Sequence, residues 1–116
     1  MSNLDDNIRL RHMLEAAKEI INLMEGRNRQ SLDEDRMLEL SVVRLIEIIG
    51  EAAANISSDK RQQLSQIPWR DIVSMRNRIV HAYFDIDLKI VWKTIHEDLP
   101  ALLLQLEAAQ STEDIP

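Results

Sequence analysis

Apolar residues recur every three or four positions along most of this chain, which is the spacing of one face of an α-helix. The first such run predicts a helix from about Leu4 to Met24. Gly26 is expected to end this helix, because glycine readily takes the left-handed conformation of a helix C-terminus. The residues of the apolar face are Leu10, Met13, Leu14, Ala17, Ile20, Ile21 and Met24.

The second run, from about Leu32 to Ile56, is apolar on nearly every side. Ser31 and Glu34 have the spacing of a capping box ahead of it, so we predict one long helix. A helix this apolar must be covered on several sides, which a short chain can hardly do alone, and we therefore infer a dimer. Gly50 inside the helix costs about 1 kcal/mol relative to alanine, which indicates close approach of a neighbouring helix.

The rest of the chain carries further helix signals. Three more helices are predicted: one capped by Ser57 or Ser58 and ending at Leu64, one from about Trp69 to Ala82 that Pro68 begins, and one capped by Asp85 or Asp87 that ends near Ala108 and that Pro100 kinks. The expected fold class is all-α, a bundle of four to five helices. We expect residues 1–110 to form one domain and residues 111–116 to form a disordered C-terminal tail.

Composition supports this class. Of the 116 residues, 45% are apolar and only 2 are glycine and 3 proline, which favours long helices over many turns. The chain has no cysteine, so disulfides and cysteine-ligated zinc are excluded and a cytoplasmic location is expected. The first residues lack the basic and apolar regions of a secretion signal, and no window of about 18 apolar residues predicts a membrane span.

The net charge of −6 argues against a simple nucleic-acid coat protein, but the charge is unevenly distributed. Residues 59–81 carry 5 basic and 2 acidic side chains, a local charge of +3, whereas residues 82–116 carry 2 basic and 7 acidic ones. A local cationic patch on an acidic body can still attract phosphate at short range.

The positive segment ends in the stretch R-N-R-I-V-H-A-Y-F, residues 76–84. Imidazole, here His81, exchanges a proton near neutral pH, and guanidinium, here Arg76, matches phosphate oxygens with a fork of donors. Together they suit cleavage of an RNA phosphodiester through attack by the ribose 2′-hydroxyl, with no metal ion and no cofactor required.

Helical geometry restricts this hypothesis. If the helix continued to Ala82, Arg76 would lie roughly 140° around its axis from His81, so one helix would not aim both at one phosphate. Two copies of the helix across a two-fold axis could line a shared groove with both pairs. In the alternative interpretation, Arg76, Arg78 and His81 form a solvated helix face and Tyr83 packs in the core. Trp69 and Trp92 are expected in the core or an interface, and His12 and His96 are expected to be exposed.

At this stretch the chain resembles a known family. R76-N-R-I-V-H81-A-Y83 is similar to R-x-x-x-x-H-x-Y, the signature of the HepT-like toxins of the HEPN superfamily. The resemblance extends over roughly residues 8–106 through E-I-I-G-E-A at residue 47, I-P-W-R-D-I-V at residue 67 and the segment from Asp87 to Pro100.

The resemblance implies a HEPN-type helical bundle that forms a two-fold homodimer with the two motifs facing a common cleft. It implies a metal-independent endoribonuclease toxin of a toxin–antitoxin pair, with tRNA as an expected substrate. Arg76 and His81 match the catalytic pair, and Asn77 and Arg78 are given supporting roles. Tyr83 matches the tyrosine that an MntA-type antitoxin, a small nucleotidyltransferase, modifies with AMP.

Two other functions are compatible with the same residues. The chain could be a non-catalytic helical subunit that partners a nucleotidyltransferase and binds nucleotide or RNA without cutting it. It could also be a stable helical dimer with no role on RNA, which the local positive segment disfavours.

Overall fold

Seven α-helices and a short β-hairpin make up the part of the chain that the computed structural model describes, residues 3–82 and 85–113. Side chains are described at residues 5–75, 77–79 and 86–110. The elements in chain order are α1 (Asn3–Met24), α2 (Arg29–Glu34), α3 (Arg36–Ala54), α4 (Ser58–Gln63), α5 (Trp69–Ile79), β1 (Val80–Ala82), β2 (Asp85–Ile86), α6 (Leu88–Lys93), a π-helical turn (Thr94–Asp98) and α7 (Leu99–Glu113). The predominance of helix agrees with the predicted all-α class.

The core lies between the long helices. α1 packs along α3, α3 also packs against α5, and α1 also packs against α7. Each of these helices contributes wholly buried side chains, among them Met13, Ile20, Ile46, Ile49, Ile79 and Leu106. Removing such side chains from water stabilises the bundle by roughly 25 cal/mol for each Å² of apolar surface. Within the described ranges, no helix is both long and apolar enough to cross a membrane.

The helix predicted from Leu32 to Ile56 is two helices, because the chain leaves the helical conformation at Asp35. The Asp35 carboxylate accepts a hydrogen bond from the Leu38 amide at 3.1 Å and so caps α3. That hydrogen bond and the 3.1 Å contact with the Arg27 guanidinium hold the pKa of Asp35 below its ordinary value. A carboxylate bound in this way favours a new helix start over continuation of the old one.

The predicted capping box of Ser31 and Glu34 is also wrong. Asn28 caps α2, and Ser31 is the third residue of that helix, where its hydroxyl accepts a hydrogen bond from the Asn28 amide. The Asn28 side chain accepts a hydrogen bond from the Ser31 amide in return. The end of the preceding helix is as predicted, since α1 stops at Met24 and Gly26 has a positive φ of 75°.

Helix α3 presents a broad apolar surface that its neighbours largely cover. Its buried residues are Leu38, Val42, Val43, Leu45, Ile46, Ile49, Gly50 and Ala53. Met37 and Leu40 near its start remain 80% and 45% exposed. The chain therefore covers by itself most of the apolar surface of α3 from which the dimer was predicted. Only the side chains of Met37 and Leu40, among the described large apolar residues of α3, remain exposed for a second copy to cover.

A buried carboxylate fastens the start of α1 to the start of α4. Asp6 is 3% exposed, and its two oxygens accept hydrogen bonds from the Ser57 amide at 2.9 Å and the Ser57 hydroxyl at 2.6 Å. Burial alone would raise the pKa of Asp6, but these bonds, with the charges of Lys60 and Arg9, lower it overall. Ser57 in turn caps α4, as predicted, by accepting a hydrogen bond from the Lys60 amide.

Helix α5 ends at Ile79, three residues before the predicted end at Ala82. The Ile79 carbonyl accepts a hydrogen bond from the Asp87 amide at 2.7 Å, across the hairpin, instead of one from a further helical turn. Two consecutive β-branched residues, Ile79 and Val80, also suit a strand better than a helix. The prediction that His81 lies on the helix is therefore wrong, because His81 belongs to β1.

The last predicted helix forms with a widened turn. Asp87 caps it, as expected, by accepting hydrogen bonds from the Lys89 and Ile90 amides. Pro100 lacks an amide hydrogen and its ring conflicts with the carbonyl four residues earlier, and the turn Thr94–Asp98 just before it is π-helical rather than α-helical. α7 continues to Glu113, beyond the predicted end near Ala108. Residues 114–116 of the predicted tail lie outside the described residues.

Candidate active site

Helix α5 carries the first part of the candidate site, and one side of this helix packs in the core. Ile72, Met75 and Ile79 are buried on its core-facing side, with exposures of 5%, 5% and 1%. At its start, Trp69 is 8% exposed and its indole Nε1–H donates to the Leu64 carbonyl at 3.0 Å. The core position predicted for Trp69 is confirmed, and it fixes where α5 begins. The rigid backbone of α5 then sets the positions of residues 76–78.

The three polar residues at the end of α5 occupy different sides of the helix. Arg76 lies within α5, one turn after Ile72. Asn77 and Arg78 follow it, and their side chains are exposed. Positions 76 and 78 are about 200° apart around the axis, so Arg78 starts from the side of the helix away from Arg76. The solvated position that the alternative interpretation gave to Arg78 is therefore confirmed, and Asn77 is exposed as well.

Arg78 lines a cleft of about 390 Å³ between α5, the π-helical turn and α7. Lys93, at the end of α6, lines the same cleft. Its apolar lining includes Met75 and Leu102, and the carboxylates of Asp71, Glu97 and Asp98 also line it. The cleft is therefore of mixed charge, with one cation from each of two elements that flank the hairpin.

His81 is placed by the hairpin and not by the helix. Val80 pairs with Ile86 and Ala82 pairs with Asp85, so two steps along β1 match one step along β2. His81 is the extra residue of this β-bulge. Bulges are common beside active sites because they change the direction in which a side chain leaves the strand. The 140° separation between Arg76 and His81, calculated for a continuous helix, no longer applies.

Tyr83, the predicted modification site, lies outside the described residues, as does Phe84. Both follow β1 in the sequence and precede β2 at Asp85. The core position that the alternative interpretation gave to Tyr83 is likewise outside what the structure describes.

Asp87 links the elements that carry the site. Its amide donates to the Ile79 carbonyl at the end of α5, and its carboxylate accepts from the first amides of α6 at 3.0 and 3.2 Å. The cap was predictable from the sequence, but the bond to Ile79 was not, because it joins residues on either side of an unpredicted hairpin. The hairpin that contains His81 is thereby closed at its base.

Sequence reasoning also missed the lysines of α6. Lys89 and Lys93 are both exposed and lie one helical turn apart. They are the two basic residues of the acidic segment 82–116, and this contrast in charge was a signal from which the sequence could have identified them.

The expected exposure of His12 and His96 is confirmed, and Trp92 is half-buried, with its ring stacked on His96. Among the described residues, no group of three or more histidine, aspartate and glutamate side chains is placed to hold a metal ion.

These features define a class of protein: a small helical bundle with an arginine on a helix whose other side packs in the core, and a histidine on a bulged strand just after that helix. The model of the family "Ribonuclease HepT-like" matches residues 13–109. The chain is 41% identical over 93 residues to "Probable ribonuclease HepT" of Thermococcus cleftensis, covering 77% of this chain and 84% of that protein. It is 34% identical over 107 residues to "Putative RNase MJ1380" of Methanocaldococcus jannaschii, covering 92% and 98%.

A third relative, "Putative RNase TTE0752" of Caldanaerobacter subterraneus, is 34% identical over 98 residues, covering 84% of this chain and 88% of that protein. No solved structure matches the chain. The family match spans most of the sequence and includes the whole candidate site. The chain therefore belongs to the HepT-like ribonuclease family.

Replacing the cap of α6 tests how the Asp87 side chain holds the start of this helix. Asp87→Ala is expected to lower the free energy of unfolding by about 1 kcal/mol, because the Lys89 and Ile90 amides lose their acceptor. Their hydrogen exchange should accelerate, which amide exchange measured by NMR will show. Asp87→Asn should retain most of the stability, because asparagine also caps helices. Unchanged exchange at both amides in Asp87→Ala would contradict the role given to this side chain.

Proposed function

We propose that this protein is a metal-independent endoribonuclease that acts as a homodimer, with Arg76 and His81 as its catalytic residues. The observation that carries the proposal is the end of α5 at Ile79 in a chain of the HepT-like ribonuclease family. Arg76 lies in the last turn of this helix, and His81 lies at the bulge of β1, two residues after the helix ends. The chemistry of the two side chains supplies the rest.

The reaction begins at the ribose 2′-hydroxyl. His81 takes its proton, and the 2′-oxygen attacks the adjacent phosphorus as the bond from phosphorus to the 5′-oxygen breaks. The guanidinium of Arg76 stabilises the negative charge that builds on the phosphoryl oxygens. The departing 5′-oxygen takes a proton from a second imidazole, the His81 of the other copy. The products are a 2′,3′-cyclic phosphate and a free 5′-hydroxyl.

A homodimer explains why one chain with a single catalytic histidine can supply both a base and an acid. Met37 and Leu40 leave an exposed apolar surface on α3 that a stable second copy would bury. If the two-fold axis passes beside residues 76–83, this segment of each copy meets its counterpart, and the cleft contains two arginines and two histidines.

Control of such an enzyme is expected at Tyr83. We propose that a partner nucleotidyltransferase of the MntA type attaches AMP to this tyrosine and neutralises a ribonuclease toxin whose substrate is tRNA. The added phosphate and nucleoside would stand two residues from His81. Negative charge and bulk there would repel the phosphate of an RNA substrate and fill its place.

Substitution of His81 tests the catalytic assignment. His81→Ala should reduce the rate of RNA cleavage about 100-fold or more, because general acid–base catalysis contributes that much. Cleavage by the parent should persist in a chelator and leave cyclic phosphate ends, as judged by analysis of the products. His12→Ala, at an exposed histidine of α1, is the matched control and should cleave like the parent.

A folded His81→Ala protein that cleaves as fast as the parent would refute the role of His81. A parent protein that binds RNA but leaves it intact would instead favour the non-catalytic binding subunit.

Substitution of Tyr83 tests the proposed control. After incubation with the partner nucleotidyltransferase and ATP, mass spectrometry should find AMP on the peptide that contains Tyr83. Tyr83→Phe should retain ribonuclease activity and escape both the modification and the neutralisation, because phenylalanine has no hydroxyl acceptor. A neutralised parent protein without AMP on this peptide would show that the partner inhibits by binding alone.

A further inference from the structure

A strip of four side chains on α6 and the π-helical turn has the properties of a surface for single-stranded nucleic acid. The α6 strip consists of Lys89, Trp92, Lys93 and His96, which are spaced three and four residues apart and therefore share one side of the helix. Lys89, Lys93 and His96 are exposed, and Trp92 is half-buried. The strip begins two residues after Asp87, which closes the base of the hairpin with His81.

The aromatic part of the strip is already arranged for stacking. The rings of Trp92 and His96 are stacked, with centroids 5.2 Å apart and an angle of 12° between the planes. Because Trp92 is half-buried and His96 is exposed, the tryptophan fixes the orientation of the imidazole. One face of the imidazole is thus supported from within the protein, and the other is available to a planar ligand.

The two lysines of the strip have no ion-pair partner among the side chains that the structure describes. Lys89 and Lys93 are the two basic residues of segment 82–116, which carries 7 acidic residues. Neither lysine forms an ion pair with a carboxylate of the side chains that the structure describes, whereas Arg27, Arg29 and Arg44 do. Two cations one turn apart, beside a stacked aromatic pair, supply the cationic and the aromatic groups with which proteins hold single-stranded nucleic acid.

The α6 strip also continues towards a residue of the candidate site. Lys93 lines the cleft between α5 and α7 together with Arg78, which adds a third cation from α5. Asp71, Glu97 and Asp98 line that cleft too. Their negative charge is unfavourable for phosphate inside the cleft, so the backbone of a nucleic acid would lie on the strip and not within the cleft.

We propose that the α6 strip binds the RNA substrate beside the cleavage site: a base stacks on the outer face of His96, and Lys89 and Lys93 contact the flanking phosphates. Base–aromatic stacking tolerates any base, and lysine contacts follow the backbone, which is how proteins hold single strands without reading sequence. This inference rests on the proposed ribonuclease function, and it assigns substrate binding to residues outside the Arg76–Tyr83 motif.

The stacking half of the proposal is tested in the His81→Ala background, where RNA stays intact. The probe is a short, mixed-sequence, single-stranded RNA with a fluorescent 5′ label, and anisotropy gives its affinity. Adding His96→Ala should weaken binding about 5- to 100-fold, because one stacked base is lost. Adding His96→Phe should restore most of the affinity, because phenylalanine stacks and carries no charge or hydrogen-bonding group.

The phosphate half is tested by salt dependence. The double substitution Lys89→Gln and Lys93→Gln should reduce the slope of log affinity against log salt by about 0.7 for each lysine. Lys18→Gln, at an exposed lysine of α1, is the matched control and should leave the slope unchanged. In the cleaving protein, the lysine variants should raise KM with little change in kcat, because the lysines bind the substrate without touching the reacting atoms.

Each outcome decides a different question. If the parent cleaves RNA while both sets of variants bind it as tightly as the parent does, the strip proposal is wrong and the ribonuclease proposal stands. If the unsubstituted protein neither binds nor cleaves RNA, the proposed function fails first. If the variants lose RNA binding only because they become monomers in light scattering, the strip is an interface between copies and the proposal is overturned.

Discussion

The backbone hydrogen bond from the Asp87 amide to the Ile79 carbonyl determines the shape of the candidate site. It gives the Ile79 carbonyl a hydrogen-bond donor outside the helix, so α5 ends within the Arg–His motif. Arg76 keeps a helical position, and His81 takes a strand position at a bulge. Had the helix continued, the two residues would point roughly 140° apart around one axis. A broken helix frees the histidine from that restriction, and the core packing of Ile72, Met75 and Ile79 keeps the arginine end fixed.

Much of this arrangement could be predicted from residue pattern. The apolar spacing of α1, the stop at Gly26 and the caps at Ser57 and Asp87 depend on local sequence, and each was confirmed. The break at Asp35 could not be predicted from the pattern, because the apolar residues on both sides continue the same periodicity and only the choice of cap separates them. The hairpin was missed because a strand of three residues is too short to show a period of two.

The candidate site shows the same division. The residue types at Arg76, Asn77, Arg78 and His81 indicated phosphate chemistry, but their relative placement depends on a hydrogen bond between residues eight apart. The α6 strip was visible only as two lysines in an acidic segment. Its stacked pair depends on a side-chain conformation that no sequence pattern specifies. Sequence therefore indicated the chemistry, and tertiary contacts determined where it could act.

The distribution of charge fits an enzyme that binds RNA at one place only. The net charge of −6 disfavours general attachment to polyanions, while α5 carries three arginines, at residues 70, 76 and 78, against the single acidic residue Asp71, and the α6 strip adds two exposed lysines. Binding would then be strongest where the hairpin, α5 and α6 meet. An acidic body with one cationic region also suits control by a single modification, because added phosphate on one tyrosine changes the charge of that region and little else.

The central claim is that the His81 residues of two copies act, beside Arg76, on the same phosphate, one as base and one as acid. Subunit mixing tests it most directly: the parent protein is combined with an excess of folded His81→Ala protein under conditions where subunits exchange, and RNA cleavage is measured. The account predicts that cleavage falls towards the level of His81→Ala, because nearly every parent subunit then belongs to a mixed dimer with a single catalytic imidazole. A mixture that has exchanged subunits and keeps the cleavage rate of its parent subunits would contradict the account, since each chain would then carry a complete site.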